Sequence, residues 1–362
     1  MPKLTETAVL IVNGKRYDDW ETVMVVHELN GKPPYRFKFT CSEGMPLAKD
    51  YAKLRIKPGD VCQVWLADHH AITGYVTTRQ VYYDAHRHHI EIQGATYADQ
   101  MSRVSWISKG LEYKDIPLPK LIQEGVNQVQ GLKLSVEGGA IPGTVYPRVN
   151  IAPSQTPYDV IEPYAREHGL SFTSNKNGDF VVAVGPLNGK DALIEGKNIL
   201  EGREVIQNLA LATEIAVSAN RPGDDQTNGP QVTHVPFVNE VAQMLGGASP
   251  GWKRPRIVVK ETPGWTQDLV KGRVGGESKF NNGESVTVIC TVHGWLKPSG
   301  GLWERNITTY VKSPMLIMDE TLKTRMITFT QDNARGSRTA IELVNDMVHG
   351  GPARSTSNVS GA

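Results

Sequence analysis

Short runs of β-branched and aliphatic residues, closed repeatedly by Asn-Gly, Pro-Gly or Asp-containing turns, constrain this chain more than any other feature. Ala8 to Val12 runs into Asn13-Gly14, and Thr22 to Leu29 runs into Asn30-Gly31 and Pro33-Pro34. Arg36 to Thr40 alternates polar with apolar residues, and the turn Lys57-Pro58-Gly59-Asp60 leads into Val61 to Leu66. Asn-Gly between such runs is the strongest short-range hairpin signal, because both residues accept the positive φ that a tight right-twisted turn demands. Ala71 to Val81 and His88 to Gln93 continue the series, so about six short strands fall in under roughly a hundred residues, which suggests a small barrel or sandwich. Gly at 35 and Pro at 22 among 362 residues also favour turns and short strands.

After Tyr97 helical patterns appear between the strands. Pro119 to Val129 places Leu121, Ile122, Gly125, Val126 and Val129 on one helical face. Pro157 to His168 carries a complete set of helix signals: Thr156 as N-cap, Pro157 at the first helical position and Gly169 as the stop. Leu170 to Thr173, Asn177-Gly178 and Phe180 to Val184 read as a hairpin. A third section opens near Leu193 with a strand-like run, Val205 to Asn220. It crosses a Gly-, Pro- and Asp-rich loop, Arg221 to His234, and returns to strands at Arg256 to Lys260, Val286 to Val292, Ile307 to Val311, Leu316 to Met318, Arg325 to Thr330 and Ala340 to Leu343. The expected fold is therefore mainly β with an α+β middle section. A first barrel-like β domain spans 1–96 and an α+β domain 97–192. A second barrel-like β domain spans 193–345, with a loop-rich insertion at about 221–285, and a disordered tail covers 346–362.

A weak internal repeat accompanies this division. Val61 to Leu66, the long run Ala71 to Tyr82, Asp84-Ala85 and His88 to Gln93 are answered by Ile307 to Val311, Leu316 to Thr330, Asp332-Asn333-Ala334 and Thr339 to Leu343. The order strand, long strand, Asp-containing turn, strand recurs, and chance similarity between β-meanders is the competing explanation.

Signs of catalysis are sparse. Lys plus Arg number 39 and Asp plus Glu 38, a net charge of +1, so the composition gives no global reason to bind nucleic acid or an anionic membrane. Cys41, Cys62 and Cys290 are odd in number and far apart, which excludes a disulfide framework or zinc knuckle and fits free, buried thiols in a reducing cytosol. No leader pattern or apolar stretch of about 18 residues is present, so no membrane anchor is expected. His69-His70 and His86-x-His88-His89 are the most metal-like group, since alternate strand positions share a face. Only Asp84 offers a supporting acid, so these histidines read as solvent-facing or interface residues. Gly272-Arg273-Val274-Gly275-Gly276 and Gly138-Gly139 lack the spacing of phosphate cradles. The adjacent pairs Asp18-Asp19 and Asp224-Asp225 are no substitute for carboxylates held across a substrate. Seven tryptophans (Trp20, Trp65, Trp106, Trp252, Trp265, Trp295 and Trp303) read as core or interface residues before they read as stacking platforms. Trp252-Lys253-Arg254-Pro255-Arg256 is locally basic, and a solvated or lumen-facing turn explains it most simply. No residue is singled out as catalytic, cofactor-binding or metal-ligating, and no cofactor is expected.

Several segments together resemble the baseplate hub proteins of Mu-like contractile-tailed phages, the late-control-protein-D-like family, which is related in fold to the amino-terminal part of type VI secretion spike proteins. They are Leu10-Ile-Val-Asn-Gly-Lys-Arg-Tyr-Asp-Asp-Trp20, Lys57-Pro-Gly-Asp-Val-Cys-Gln-Val-Trp65, Ile72-Thr-Gly-Tyr-Val76, Tyr83-Asp-Ala-His86, Ile90-Glu-Ile-Gln-Gly94, Thr156-Pro-Tyr-Asp-Val-Ile161, His168-Gly-Leu170, Gly301-Leu-Trp-Glu-Arg-Asn306 and Arg325 to Asp332. The resemblance implies a structural protein rather than an enzyme. It implies a homotrimer whose two barrel-like domains per chain form a pseudo-sixfold ring, a symmetry adaptor between a sixfold tail tube and a threefold spike. The implied partners are the tail tube or distal tube-end protein, the central spike and other baseplate proteins, with transient non-specific contact to phage DNA in the lumen. The implied location is the virion baseplate, after assembly in the host cytoplasm. The competing reading is a cell-wall or carbohydrate-binding or -degrading tail protein, which would need two carboxylates facing each other across an aromatic-lined cleft.

Overall fold

The computed structural model describes residues 6–42, 55–84, 88–107, 110–206 and 286–345, together with the backbone of two strands at 214–218 and 255–259. The expected loop at 221–234, His86, Trp252, Trp265 and the tail lie outside the described residues.

The first part is a run of strands: β1 (Ala8–Val12), β2 (Lys15–Tyr17), β3 (Thr22–Glu28), β4 (Tyr35–Ser42), β5 (Val61–Leu66), β6 (His69–Tyr83) and β7 (His88–Thr96). The Asn13-Gly14 turn behaves as its sequence demands, with φ of 49° and 77°. A 3-10 turn, Tyr97–Ser102, leads into the middle segment: β8 (Glu112–Pro117), α1 (Leu118–Asn127), β9 (Leu134–Glu137), β10 (Val145–Asn150), α2 (Pro157–Arg166), β11 (Ser171–Ser174) and β12 (Phe180–Ala183). The last part holds β13 (Leu187–Ile194), β14 (Glu201–Ile206), β15 (Glu214–Ser218), β16 (Pro255–Val259), β17 (Val286–His293), β18 (Ile307–Ser313), β19 (Met318–Asp332) and β20 (Gly336–Val344).

The middle segment packs around its own core. Thr156 caps α2 by accepting a hydrogen bond from the Asp159 amide, and Gly169 leaves the helix at φ +64°. Gly125 on α1 lets the helix approach closely, since a Cβ there would stand 3.1 Å from the Trp106 ring and 3.3 Å from Ile161 of α2. Leu121, Ile122 and Val126 face the same core as Trp106, Tyr146 and Ile161.

Outside this segment β15 and β16 pair only with each other, in parallel, and the other thirteen strands form one sheet, whose main path runs β14-β17-β20-β19-β3-β4-β7-β6-β5-β1-β2, with β13 and β18 branching from β19. Hydrogen bonds therefore join the two expected β units directly, through an antiparallel joint in which Met326 to Asp332 of β19 faces Glu28 to Thr22 of β3. One hydrophobic core runs under both, from Leu10, Phe37, Phe39 and Ile92 to Val288, Trp295, Phe329 and Leu343.

The repeat seen in the sequence is present in the pairing. The ladder β3-β4-β7-β6-β5-β1 is answered by β14-β17-β20-β19-β18-β13. Thr22↔Thr40 through His27↔Tyr35 in the first ladder corresponds pair for pair to Glu201↔Thr291 through Ile206↔Val286 in the second. The two long strands, β6 and β19, are both 15 residues, and each carries a bulge near its middle, at Val76/Thr78 and Thr324/Met326. Even the entering turns agree: Gly59 (φ +92°) donates its amide to the Val76 carbonyl, and Asn306 (φ +60°) donates to Thr324.

Two strand expectations need correction. Leu316 to Met318 is not a strand start: Pro314 opens a 3-10 turn, Pro314–Leu316, the Ser313 hydroxyl accepts from the Leu316 amide, and β19 begins only at Met318. The run read as Val205 to Asn220 begins earlier, as β14 from Glu201, because its pairing with β17 and not its own hydrophobicity fixes its extent.

Candidate functional site: a buried polar junction

The middle segment meets the sheet at a compact polar junction built from β3, β4, the turn before β18, β9 and β11.

Arg305 lies at its centre, with 6% of its surface exposed. Its guanidinium pairs with both carboxylate oxygens of Glu137 on β9, donates to the Ser174 carbonyl of β11 at 2.9 Å, and stands 5.9 Å from the centre of the Tyr35 ring on β4. Burial works against the arginine's charge, but Tyr35 and Glu137 beside it hold its pKa above the ordinary value. Two-oxygen pairing by a planar, permanently charged fork is what a buried ion pair requires, and lysine cannot reproduce it. The neighbouring Asn306 takes a left-handed backbone and donates from its side chain to the Gly185 carbonyl at 3.0 Å, which ties the end of the middle segment to the start of β18.

His27 completes the junction from the side of β3. Its ring stacks on Tyr35 at 3.8 Å between centroids and meets Phe329 of β19 edge-on at 5.4 Å. Burial, aided by the Arg305 charge, pushes its pKa down to about 3, so the ring is neutral. Just beyond the same end of β3, Asn30 closes a two-way clasp on Phe172, its amide donating to the Phe172 carbonyl at 2.6 Å and its side-chain oxygen accepting from the Phe172 amide at 2.7 Å. The Thr173 hydroxyl donates to the Glu28 carbonyl at 2.8 Å. Gly178 approaches so closely that a Cβ would lie 2.8 Å from the Thr73 carbonyl of β6. The middle segment is thus fixed to three strands of the sheet at once.

The residues weighed for chemistry are placed differently. The His70 ring stacks on Trp65 and its Nε2 lies 2.9 Å from the Thr73 hydroxyl, while His88 stacks on Tyr83. Among the described residues no group of three or more metal-capable side chains comes together. Trp106, Trp295 and Trp303 are buried in the cores, and Trp20 and Trp65 are half-buried. Cys41, Cys62 and Cys290 are free and buried, and burial pushes the Cys62 and Cys290 thiols up to about 12 and 11. Among the described residues no helix is long and apolar enough to cross a membrane. Sequence reasoning passed over Arg305, Asn306, Glu137 and His27 as sites; the only signal was the polar triplet Glu304-Arg305-Asn306 between Trp303 and the start of a strand.

Residues 7–96, the span from β1 to β7, match the family model described as Mu phage baseplate assembly protein GpP-like, N-terminal. A search of curated protein sequences finds no match. Among solved structures the chain is similar to the 43 kDa tail protein of prophage MuSo2 from Shewanella oneidensis, at 22% identity and a TM-score of 0.81, over 95% of this chain and 100% of that one. It is also similar to a tail protein from Neisseria meningitidis MC58, at 14% identity and a TM-score of 0.74, over 96% and 98% of the two chains. A third likeness is to an E. coli component of the type VI secretion system, described as structurally similar to T4 bacteriophage tail proteins, at 8% identity and a TM-score of 0.59, over 95% and 79%. The resemblance read from the sequence is met by the amino-terminal family model, and the fold is that of these tail proteins.

Proposed function

We propose that this chain is the structural hub of a contractile phage tail's baseplate. In this reading three copies form a ring, each contributing two β units and an α+β unit, and the ring adapts a sixfold tail tube to a threefold central spike. Its partners are the tube or distal tube-end protein on one face, the spike on the other, and further baseplate proteins at the rim. It is assembled in the host cytoplasm and carried in the virion, and it acts as a scaffold without catalysis of its own.

The observation that carries the reading is the register-for-register repetition of one ladder in the two halves of the sheet. A chain that presents the same ladder twice offers twice as many similar positions as copies, which is what a threefold assembly needs to meet a sixfold one. The amino-terminal match to a baseplate family points the same way. The near-zero net charge suits a lumen through which DNA passes without being held.

Light scattering across a dilution series, followed by mixing with the tube and spike proteins, tests it. A concentration-stable trimer that binds both is the expected result. A monomer at every concentration that binds neither overturns the hub and moves weight to the wall-binding alternative.

A further inference from the structure

We propose that copies of this chain join head to tail by pairing β14 of one copy, antiparallel, with the outer half of β6 (Thr78–Tyr83) of the next. The register is the one β3 makes with β19 inside each chain. This deepens the trimeric reading above and rests on it, by naming the surface through which the ring closes.

The template is the intramolecular joint. β19 has two halves: Met318 to Lys323 pairs with β18, and beyond the bulge Met326 to Asp332 pairs with β3 along the same edge. β6 is its counterpart: His69 to Tyr75 pairs with β5, and beyond its own bulge Thr78 to Tyr83 runs on beside β7. Among the described residues no strand plays toward β6 the part that β3 plays toward β19. The counterpart of β3 is β14, which ends the sheet with β17 on one side and no strand on the other among the described residues. Among the described residues each copy therefore shows one completed joint and the two halves of a second.

Carrying the β3–β19 register across the repeat, Thr22↔Asp332 through His27↔Ile327 becomes a definite set of contacts between copies. Val205 comes opposite Gln80, Glu204 opposite Val81, and Gly202 opposite Tyr83. Four large apolar or aromatic side chains on these two segments are exposed: Val81 at 44%, Tyr82 at 55%, Tyr83 at 74% and Ile206 at 59%. Gly202 suits its place, because a Cβ there would stand 3.1 Å from Leu316 Cδ1. A bare glycine leaves the Tyr83 ring room to lie across the strand against Leu316, the pairing by which an aromatic shelters an edge glycine. Covering these edges also removes a template for indiscriminate strand addition. A head-to-tail contact of this kind closes into a ring or runs into a filament, according to the rotation it imposes.

Cysteine pairs on the full-length chain test the register. Single variants E204C and V81C are mixed, as are V205C and Q80C. The two pairs sit one residue apart, so one of them is the non-hydrogen-bonded type whose Cβ atoms lie closest. The native cysteines are buried and do not compete. We expect a disulfide between copies in at least one mixture, none when E204C is mixed with V61C, and closure at a covalent trimer when both cysteines of the reactive pair are placed in one chain. Assembly to a discrete mass with no cross-link in either mixture overturns this joint and leaves the ring standing. Cross-linked chains that never close at three support the joint and overturn the trimer. Monomers at all concentrations without cross-links overturn both.

Discussion

The two β halves have the same backbone plan and different surroundings. β3 and β14 occupy the same place in their ladders, yet β3 reads Thr-Val-Met-Val-Val-His and β14 reads Glu-Gly-Arg-Glu-Val-Ile. The first is covered by β19 and is largely buried; the second has no strand over it among the described residues and is largely exposed. The turns before the ladders show the same contrast. Pro58-Gly59 is exposed, whereas the matching Arg305-Asn306 is buried beneath the middle segment. Strand alternation and bulge position set the pairing, and what packs on top sets the residue types. The strand directions part at the flank, where β1 runs antiparallel to β5 but β13 runs parallel to β18.

The largest effects should come from substitutions at positions that are buried in one half and exposed in the other. Arg305→Leu leaves the Glu137 carboxylate without its partner and should cost roughly 3–5 kcal/mol. At the matching position Pro58→Ala should cost about 1 kcal/mol at most, through the added freedom of the unfolded chain. Urea midpoints of the two variants check this, and equal losses would show that the junction is not what fixes the middle segment. Phe329→Ala, at the heart of the β3–β19 joint, should also cost roughly 3–5 kcal/mol. Its counterpart Val81→Ala should change the stability of an isolated copy by no more than about 0.5 kcal/mol while weakening self-association.

Acid separates the halves through His27, whose place in the second half is taken by Ile206. With a folded pKa near 3, well below the unfolded value, the neutral ring contributes stability that is fully present above about pH 6.5 and is lost as pH falls toward 3. The slope should approach about 1.4 kcal/mol per pH unit in that window, because the unfolded chain binds a proton that the folded one excludes. His27→Leu should abolish this share of the acid sensitivity in urea titrations at pH 7 and pH 5. An unchanged pH dependence would place the titrating group elsewhere.

What the sequence disclosed is what short stretches of chain decide. Asn13-Gly14, Thr156-Pro157 with Gly169, and the Asn177-Gly178 hairpin each carry their geometry in a few adjacent residues, and all three are present. The Asp84/Asp332 repeat was legible because a long strand precedes each aspartate, and the bulges at Val76/Thr78 and Thr324/Met326 stand at the same spacing from them. The junction was not legible, since Arg305 becomes a buried ion pair only when Glu137, 168 positions earlier, is brought beside it. The continuity of the sheet through β3 and β19 was hidden for the same reason, as nothing local to Val25 or Phe329 names its partner. Apolar residues at Leu316 to Met318 suggested a strand, whereas Pro314 and Ser313, which do make the turn, were the better guide.

That turn supplies the prediction most specific to the second half. β5 and β6 are joined by Ala67-Asp68 alone, both in left-handed conformation, but β18 and β19 are joined by Pro314 to Ile317. Glu195 anchors this longer link by accepting from the Ser313 hydroxyl at 2.5 Å and the Met315 amide at 3.1 Å, and these bonds hold its carboxyl below the usual range. Ile317 is left at φ +52° with 94% of its surface in water, a β-branched residue in a backbone region that costs it about 1–2 kcal/mol, with no burial to offset the strain. Ile317→Asn should therefore stabilise an isolated copy by up to about 1 kcal/mol, because asparagine tolerates the left-handed region. If the variant is more stable alone but associates less well, the strained apolar tip is retained for contact between copies; if association is unchanged, the strain belongs to the turn and not to the interface.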